Sequence, residues 1–144
     1  MNLNAVKVVV ALTLLLCIAN HAQADEDKRE LVALPAIMQA HMLSNMRDHL
    51  VAVNEILARL ATGELETAAQ FAEFRLGMSS LESHGASHMA KFMPEGMQNA
   101  GTNMHLAVSR FALKAQEGEV LPAYKMLSEV TAACVACHTA YRIR

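Results

Sequence analysis

Apolar residues return every three or four positions along most of residues 34–141, the signature of helices with one buried face. In the first such stretch the series is Leu43, Met46, Leu50, Val53, Leu57 and Leu60, and in the last it is Leu121, Tyr124, Leu127, Val130 and Cys134. The strict alternation of a half-buried strand is almost absent. Glycine and proline divide the pattern. A first helix is predicted over residues 34–61, with Pro35 in the first turn, where its missing N–H costs nothing, and Gly63 as the stop. A second is predicted over 65–91, weakened by Gly77 and Gly85, with Gly85 the place where it can break. Met93-Pro94-Glu95-Gly96 reads as a turn. A third helix follows over 97–116, with Gly101 a soft spot and Gly118 the stop. A fourth covers 119–141, with Pro122 in its first turn, and residues 25–30 form a charged, frayed lead-in. Short connections between long helices favour antiparallel neighbours, so the expected class is all-α, an antiparallel up-down-up-down four-helix bundle.

The first 24 residues do not share this pattern. Lys7 supplies a positive charge, residues 8–18 are an almost unbroken apolar run, and Ala22-Gln23-Ala24 ends the segment with small residues. That is the make-up of a secretory signal peptide. The run falls short of the ~20 residues a membrane span needs, so an uncleaved anchor is the lesser reading, and no stable membrane insertion is expected after cleavage. Leu16 before Cys17 is too bulky for a lipoprotein site. The division is then signal peptide 1–24 and a single domain over 25–144, long enough for a small core, exported to a bacterial periplasm.

Composition narrows the chemistry. Lys7 is the one basic residue of the leader, which leaves 11 basic residues against 14 acidic ones, a net charge of −3 with histidine neutral. Binding to nucleic acid rests on Lys and Arg neutralising phosphates, and this balance argues against it. Of three cysteines, two remain, in the run Cys134-Val135-Ala136-Cys137-His138. Two cysteines separated by two residues and followed by histidine form the c-type haem attachment pattern. The thiols take the two vinyl groups on one porphyrin edge, and the imidazole that follows is held close to the iron as its proximal ligand. A redox disulfide would need a thioredoxin-like βαβ setting, and a zinc site would need further ligands. One covalent haem c on Cys134, Cys137 and His138 is the expected cofactor.

Tyr141 and Arg142 follow in the register C-x-x-C-H-x-x-[FY]-[RK]. With the predicted four-helix chain and the exported leader, these residues resemble the cytochrome c′ family and its low-spin relatives. The Met93-Pro94-Glu95-Gly96 turn is similar to the F-P-E-G stretch those proteins carry between their second and third helices, with methionine in place of the phenylalanine. The resemblance implies Tyr141 beside the proximal histidine, Arg142 on a haem propionate, and weakly a homodimer through the first two helices.

The other side of the iron decides the role. A methionine ligand suits one-electron transfer, whereas an open apolar face binds a small gas such as NO or CO. His138 lies 19 residues beyond Glu119, and 19 residues back from Thr62 is Leu43. At ~1.5 Å per residue these points share a height, so residues 42–46 should face the haem. Met38, Met42 and Met46 stack there, with His41 and His49 beside them and Arg47 within reach of a propionate. Low-spin relatives of cytochrome c′ place their methionine within one residue of Met46. Met46 is therefore the first candidate distal ligand to haem iron, Met42 the second, and His41 or His49 the histidine alternatives. Flexible filling of the core is the competing use of such methionines.

Ten methionines and seven histidines are many for this length. His84, His88, Met89, Met93, Met97, Met104 and His105 fall close together. Thioether and imidazole are copper ligands, so a copper-handling protein with an accessory haem is an alternative to the carrier. No catalytic triad, phosphate loop or carboxylate pair is present, and His41 or His49 with Arg47 is only a remote peroxidase pair. The expected activity is haem and iron binding with one-electron transfer, without catalysis, toward a redox partner protein or a gas ligand.

Overall fold

The computed structural model describes residues 27–144; the leader assigned to residues 1–24, with Cys17, lies outside the described residues. The described chain is mostly helical. Strand β1 (Glu30–Leu31) precedes helix α1 (Ala36–Ala61). Helix α2 (Leu65–Leu76), a 3-10 turn (Met78–Ser80) and the short helix α3 (Ala86–Ala90) follow. Helices α4 (Glu95–Gln116) and α5 (Val120–Ala140) then lead into strand β2 (Tyr141–Arg142).

The glycine stops act where the pattern puts them. Gly63 and Gly118 adopt φ of 78° and 82°, a conformation only glycine enters cheaply. At Gly63 the turn closes twice: its N–H donates to Leu60 O at 3.1 Å, and Glu64 N–H reaches back to Arg59 O at 2.9 Å. This pairing consumes carbonyls that the end of α1 would otherwise leave bare.

The second predicted helix does not run to residue 91. It stops at Leu76, and residues 77–85 turn before α3 resumes at Ala86. Serine chemistry explains the break. Ser79 Oγ donates to Glu73 O at 2.8 Å and Ser80 Oγ to Gly77 O at 2.7 Å, and such local bonds compete with the helical ladder. Gly85 completes the turn with φ of 64°. The Met93-Pro94-Glu95-Gly96 turn is also shorter than expected, because Glu95 and Gly96 already belong to α4, with Pro94 at its N-cap.

Both ends of the described chain depart from expectation in a related way. Tyr141 is not helical, and Glu30 is not frayed. The two strands pair in parallel, Glu30 with Tyr141 and Leu31 with Arg142, and Val32 N–H donates to Arg142 O at 2.8 Å.

The core occupies one end of the molecule. Ala52, Ile56 and Leu60 of α1 meet Ala68, Ala69, Ala72 and Leu76 of α2. Phe111, Val108 and Ala115 of α4 and Ala123, Leu127 and Val130 of α5 close it. Alanine on α2 lets the helices approach closely, and Phe111, fully buried, fills the centre. Two periodic series are corrected here. Leu50 is 72% and Leu121 80% exposed, so the inner faces turn on Ala52, Ile56 and Leu60 in α1 and on Ala123, Leu127 and Val130 in α5. Small alanines between the leucines carry the buried stripe and weaken its hydrophobic signature.

α1 and α4 give their C-terminal halves to this core, whereas α5 gives its N-terminal half. Their opposite halves surround a cavity. α5 is also long and apolar enough to cross a membrane.

Candidate functional site

The cavity has a volume of about 610 Å³, within the range of cofactor and ligand sites. α1 lines it with Met42, Leu43, Met46 and His49. The segment around α3 adds His84, Met89 and Met93, and α4 adds Met97, Met104 and His105. Cys137 and His138 come from the end of α5, and Tyr141, Arg142 and Arg144 from the tail. Residues more than a hundred positions apart are thus gathered around one space.

Of the residues singled out by sequence, Met42, Met46, His49, Cys137, His138, Tyr141 and Arg142 all line the cavity. Cys134 sits one turn before Cys137 on α5, half-buried and packed on the core. Residues three apart on a helix share a face, so the thiols lie along one side of α5. Among the described residues both are free, and burial pushes both pKa values up. Met38 and Arg47 are not among the lining residues, and Arg47 is exposed. His88 is exposed, and the turn over 77–85 leaves His84 outside α3, so these two histidines do not share a helix face. Met89, Met93 and Met97 share no helical face either, because α3 ends at Ala90 and α4 begins only at Glu95.

The two motif fragments that carry the family resemblance touch. A Cβ placed on Gly96 would collide with the Tyr141 hydroxyl. Tyr141 therefore lies across the first turn of α4, where only a glycine leaves room. Arg142 is half-buried, and its Nε lies 3.5 Å from Asp27 Oδ2. The spacing suits an ion pair, but Nε makes no hydrogen bond among the described residues. Asp27 in turn is held by Arg29, at 2.7 and 2.9 Å, and that bond keeps its carboxyl at about 2, well below the usual range.

His41 does not serve the cavity directly. Its Nε2 and the Asn45 amide both donate to the His84 carbonyl, each at 2.8 Å, so α1 holds the turn that carries His84. Beside it, His49, His84 and His105 converge, with ring centroids 4.8, 5.5 and 5.8 Å apart. Burial, with the neighbouring His84 and His105 rings, lowers His49 to about 4. Burial also lowers His84, and it lowers His105 against the opposing hydrogen bonds to Leu76 and Gly77. Each shift favours the neutral imidazole, the form that coordinates metals. The sequence showed His84 and His105 within a cluster and His49 beside the methionines. That the three meet depends on the turn at 77–85, which periodicity does not encode.

The donor set and the space fit a haem. A histidine and a thiol on one helix face the cavity, thioethers stand on the helix across it, and three arginines, Arg29, Arg142 and Arg144, also line it. Uncharged polar and apolar groups, with the histidine trio, line the rest. The chain matches no family model, no curated protein and no solved structure.

Proposed function

We propose that the chain is an exported, periplasmic monohaem c-type cytochrome of the cytochrome c′ kind, a one-electron carrier rather than an enzyme. The observation that supports this most is the convergence of Cys137, His138, Met42, Met46, Tyr141 and Arg142 on one cavity, from helices distant in sequence. Bound haem supplies an iron centre able to take and release one electron. The chain's own groups do the rest. Cys134 and Cys137 anchor the porphyrin edge, and His138 provides the proximal imidazole. Met46, or in second place Met42, provides the distal thioether from α1. Arg142 offers a guanidinium to a propionate, and Tyr141 packs beside the proximal ring. In this reading the long helices form an antiparallel four-helix bundle, consistent with the opposite polarity of α1 and α4 relative to α5. The domain is soluble once its leader is removed and meets a redox partner protein; a homodimer is in keeping with the family resemblance.

The optical spectrum of the purified protein, ferric and ferrous, with and without carbon monoxide, tests this. A low-spin spectrum unmoved by carbon monoxide supports a methionine-ligated carrier. A high-spin spectrum that shifts replaces the carrier with a gas-binding haem. Absence of haem, from a host able to attach it, sinks the reading.

A further inference from the structure

The histidine trio is unused by the haem reading. His49 comes from α1, His84 from the turn before α3 and His105 from α4, and one ring nitrogen of each lies within 4.8 Å of the others.

Hydrogen bonds fix how two of the rings present themselves. His105 Nδ1–H donates to Leu76 O at 2.7 Å, which leaves Nε2 with a bare lone pair. Ser80 gives its own hydroxyl proton to Gly77 O. Ser80 Oγ can therefore only accept from His84 Nδ1, 3.4 Å away, and His84 Nε2 is bare as well. His49 Nε2 is buried and has no hydrogen-bond partner among the described residues. A buried polar nitrogen left alone is uncommon and calls for a ligand. A carbonyl or hydroxyl bonded to the rear nitrogen is how metal-binding histidines are oriented. His41 and Asn45, clamped on the His84 carbonyl, steady the third element from α1.

We propose that His49, His84 and His105 form a copper site, built by this chain independently of the haem. Nitrogens sharing one ion at about 2 Å stand closer than the present rings, and rotation of each side chain by about an ångström closes them. Imidazole suits copper, and copper stands at the head of the divalent affinity order. The trio lines the same cavity as Met104, whose thioether would favour the cuprous state. Zinc lacks that preference, which separates it from copper in the test.

The test uses the full holoprotein, stripped with a chelator and equilibrated with limiting copper sulfate or zinc sulfate. Bound copper and zinc are counted by elemental analysis, and haem iron separately. Paramagnetic resonance reads nitrogen couplings on cupric ion. The expected result is one copper per chain, coupled to imidazole nitrogens and retained against equal zinc. His49→Gln and His84→Gln should each weaken copper by about 100-fold or more, and His88→Gln, at an exposed position, should leave it unchanged. His105→Gln also breaks the bond to Leu76, so the half-buried His84 is the decisive variant, with helix content followed by circular dichroism. Failure to take up copper, preference for zinc, or undiminished affinity in a folded His84→Gln protein overturns the proposal. Copper bound through the trio in protein lacking haem iron upholds it while removing the haem reading. Haem without copper does the reverse.

Discussion

The hydroxyl of Tyr141 occupies the space where a side chain at Gly96 would begin. The turn before α4 and the tail after α5 are therefore one structural unit, although 45 positions separate the two residues. In an unobstructed helix, Ala is worth up to about 1 kcal/mol more than Gly. Here the sign should reverse. Gly96→Ala is expected to lower the thermal midpoint and displace the ring, read by nuclear magnetic resonance of Tyr141. Gly96→Ala combined with Tyr141→Phe should recover most of the loss, because only the hydroxyl is in close conflict. A single Gly96→Ala protein as stable as the parent would refute the contact.

Phe111 and Phe74 form a contrasting pair. Phe111 is fully buried and Phe74 is 76% exposed. Phe111→Ala should cost about 3–5 kcal/mol, from lost transfer energy and the cavity left behind. Phe74→Ala should stay within about 0.5 kcal/mol. Denaturant unfolding of the two variants measures both, and equal losses would misplace the core.

Met46 and Met42 can be told apart spectroscopically. Met46→Ala should convert a low-spin ferric haem to high-spin, while Met42→Ala should leave the spin state low. The reverse pattern would move the distal role to Met42, and no change in either would clear both.

Asp27 sets a pH window. Its folded pKa, about 2 through the Arg29 hydrogen bond, lies below the unfolded value near 3.9. The unfolded chain thus binds more protons between those values, so Asp27 contributes stability above about pH 4 that is lost as pH falls through 2. Asp27→Asn should be less stable than the parent at pH 7, and the gap should close near pH 2. The residue is exposed, so the difference should be small and should shrink with added salt. A gap that persists at pH 2 would mean a cause other than the charge.

Periodicity and glycine placement made the long helices legible, since Gly63 and Gly118 stop α1 and α4 where the pattern ends. The height argument linking His138 to residues 42–46 was also readable, because two residues on parallel rods need only a rise per residue to be compared. The break after Leu76 was not. Its cause is a set of serine hydroxyls that bond to their own backbone, and hydroxyls leave no mark on an apolar pattern. The His49–His84–His105 convergence was hidden by the same break. The pairing of Glu30 with Tyr141 was invisible for another reason: two residues are too few to show alternation, and the partner lies 111 positions away.

That pairing orders events in time. Bringing ends this far apart together costs about 4 kcal/mol in loop entropy, more than two or three backbone bonds, at about 1 kcal/mol each, can return. The ends can meet only after the helices between them have packed. Until then the side of the cavity formed by Tyr141, Arg142 and Arg144 stays open, so a bulky guest has an entry period that closes with the final step of folding. A C-terminal fusion sits on that closing edge, and a slow last phase in its refolding kinetics is the form in which the order of assembly would be seen.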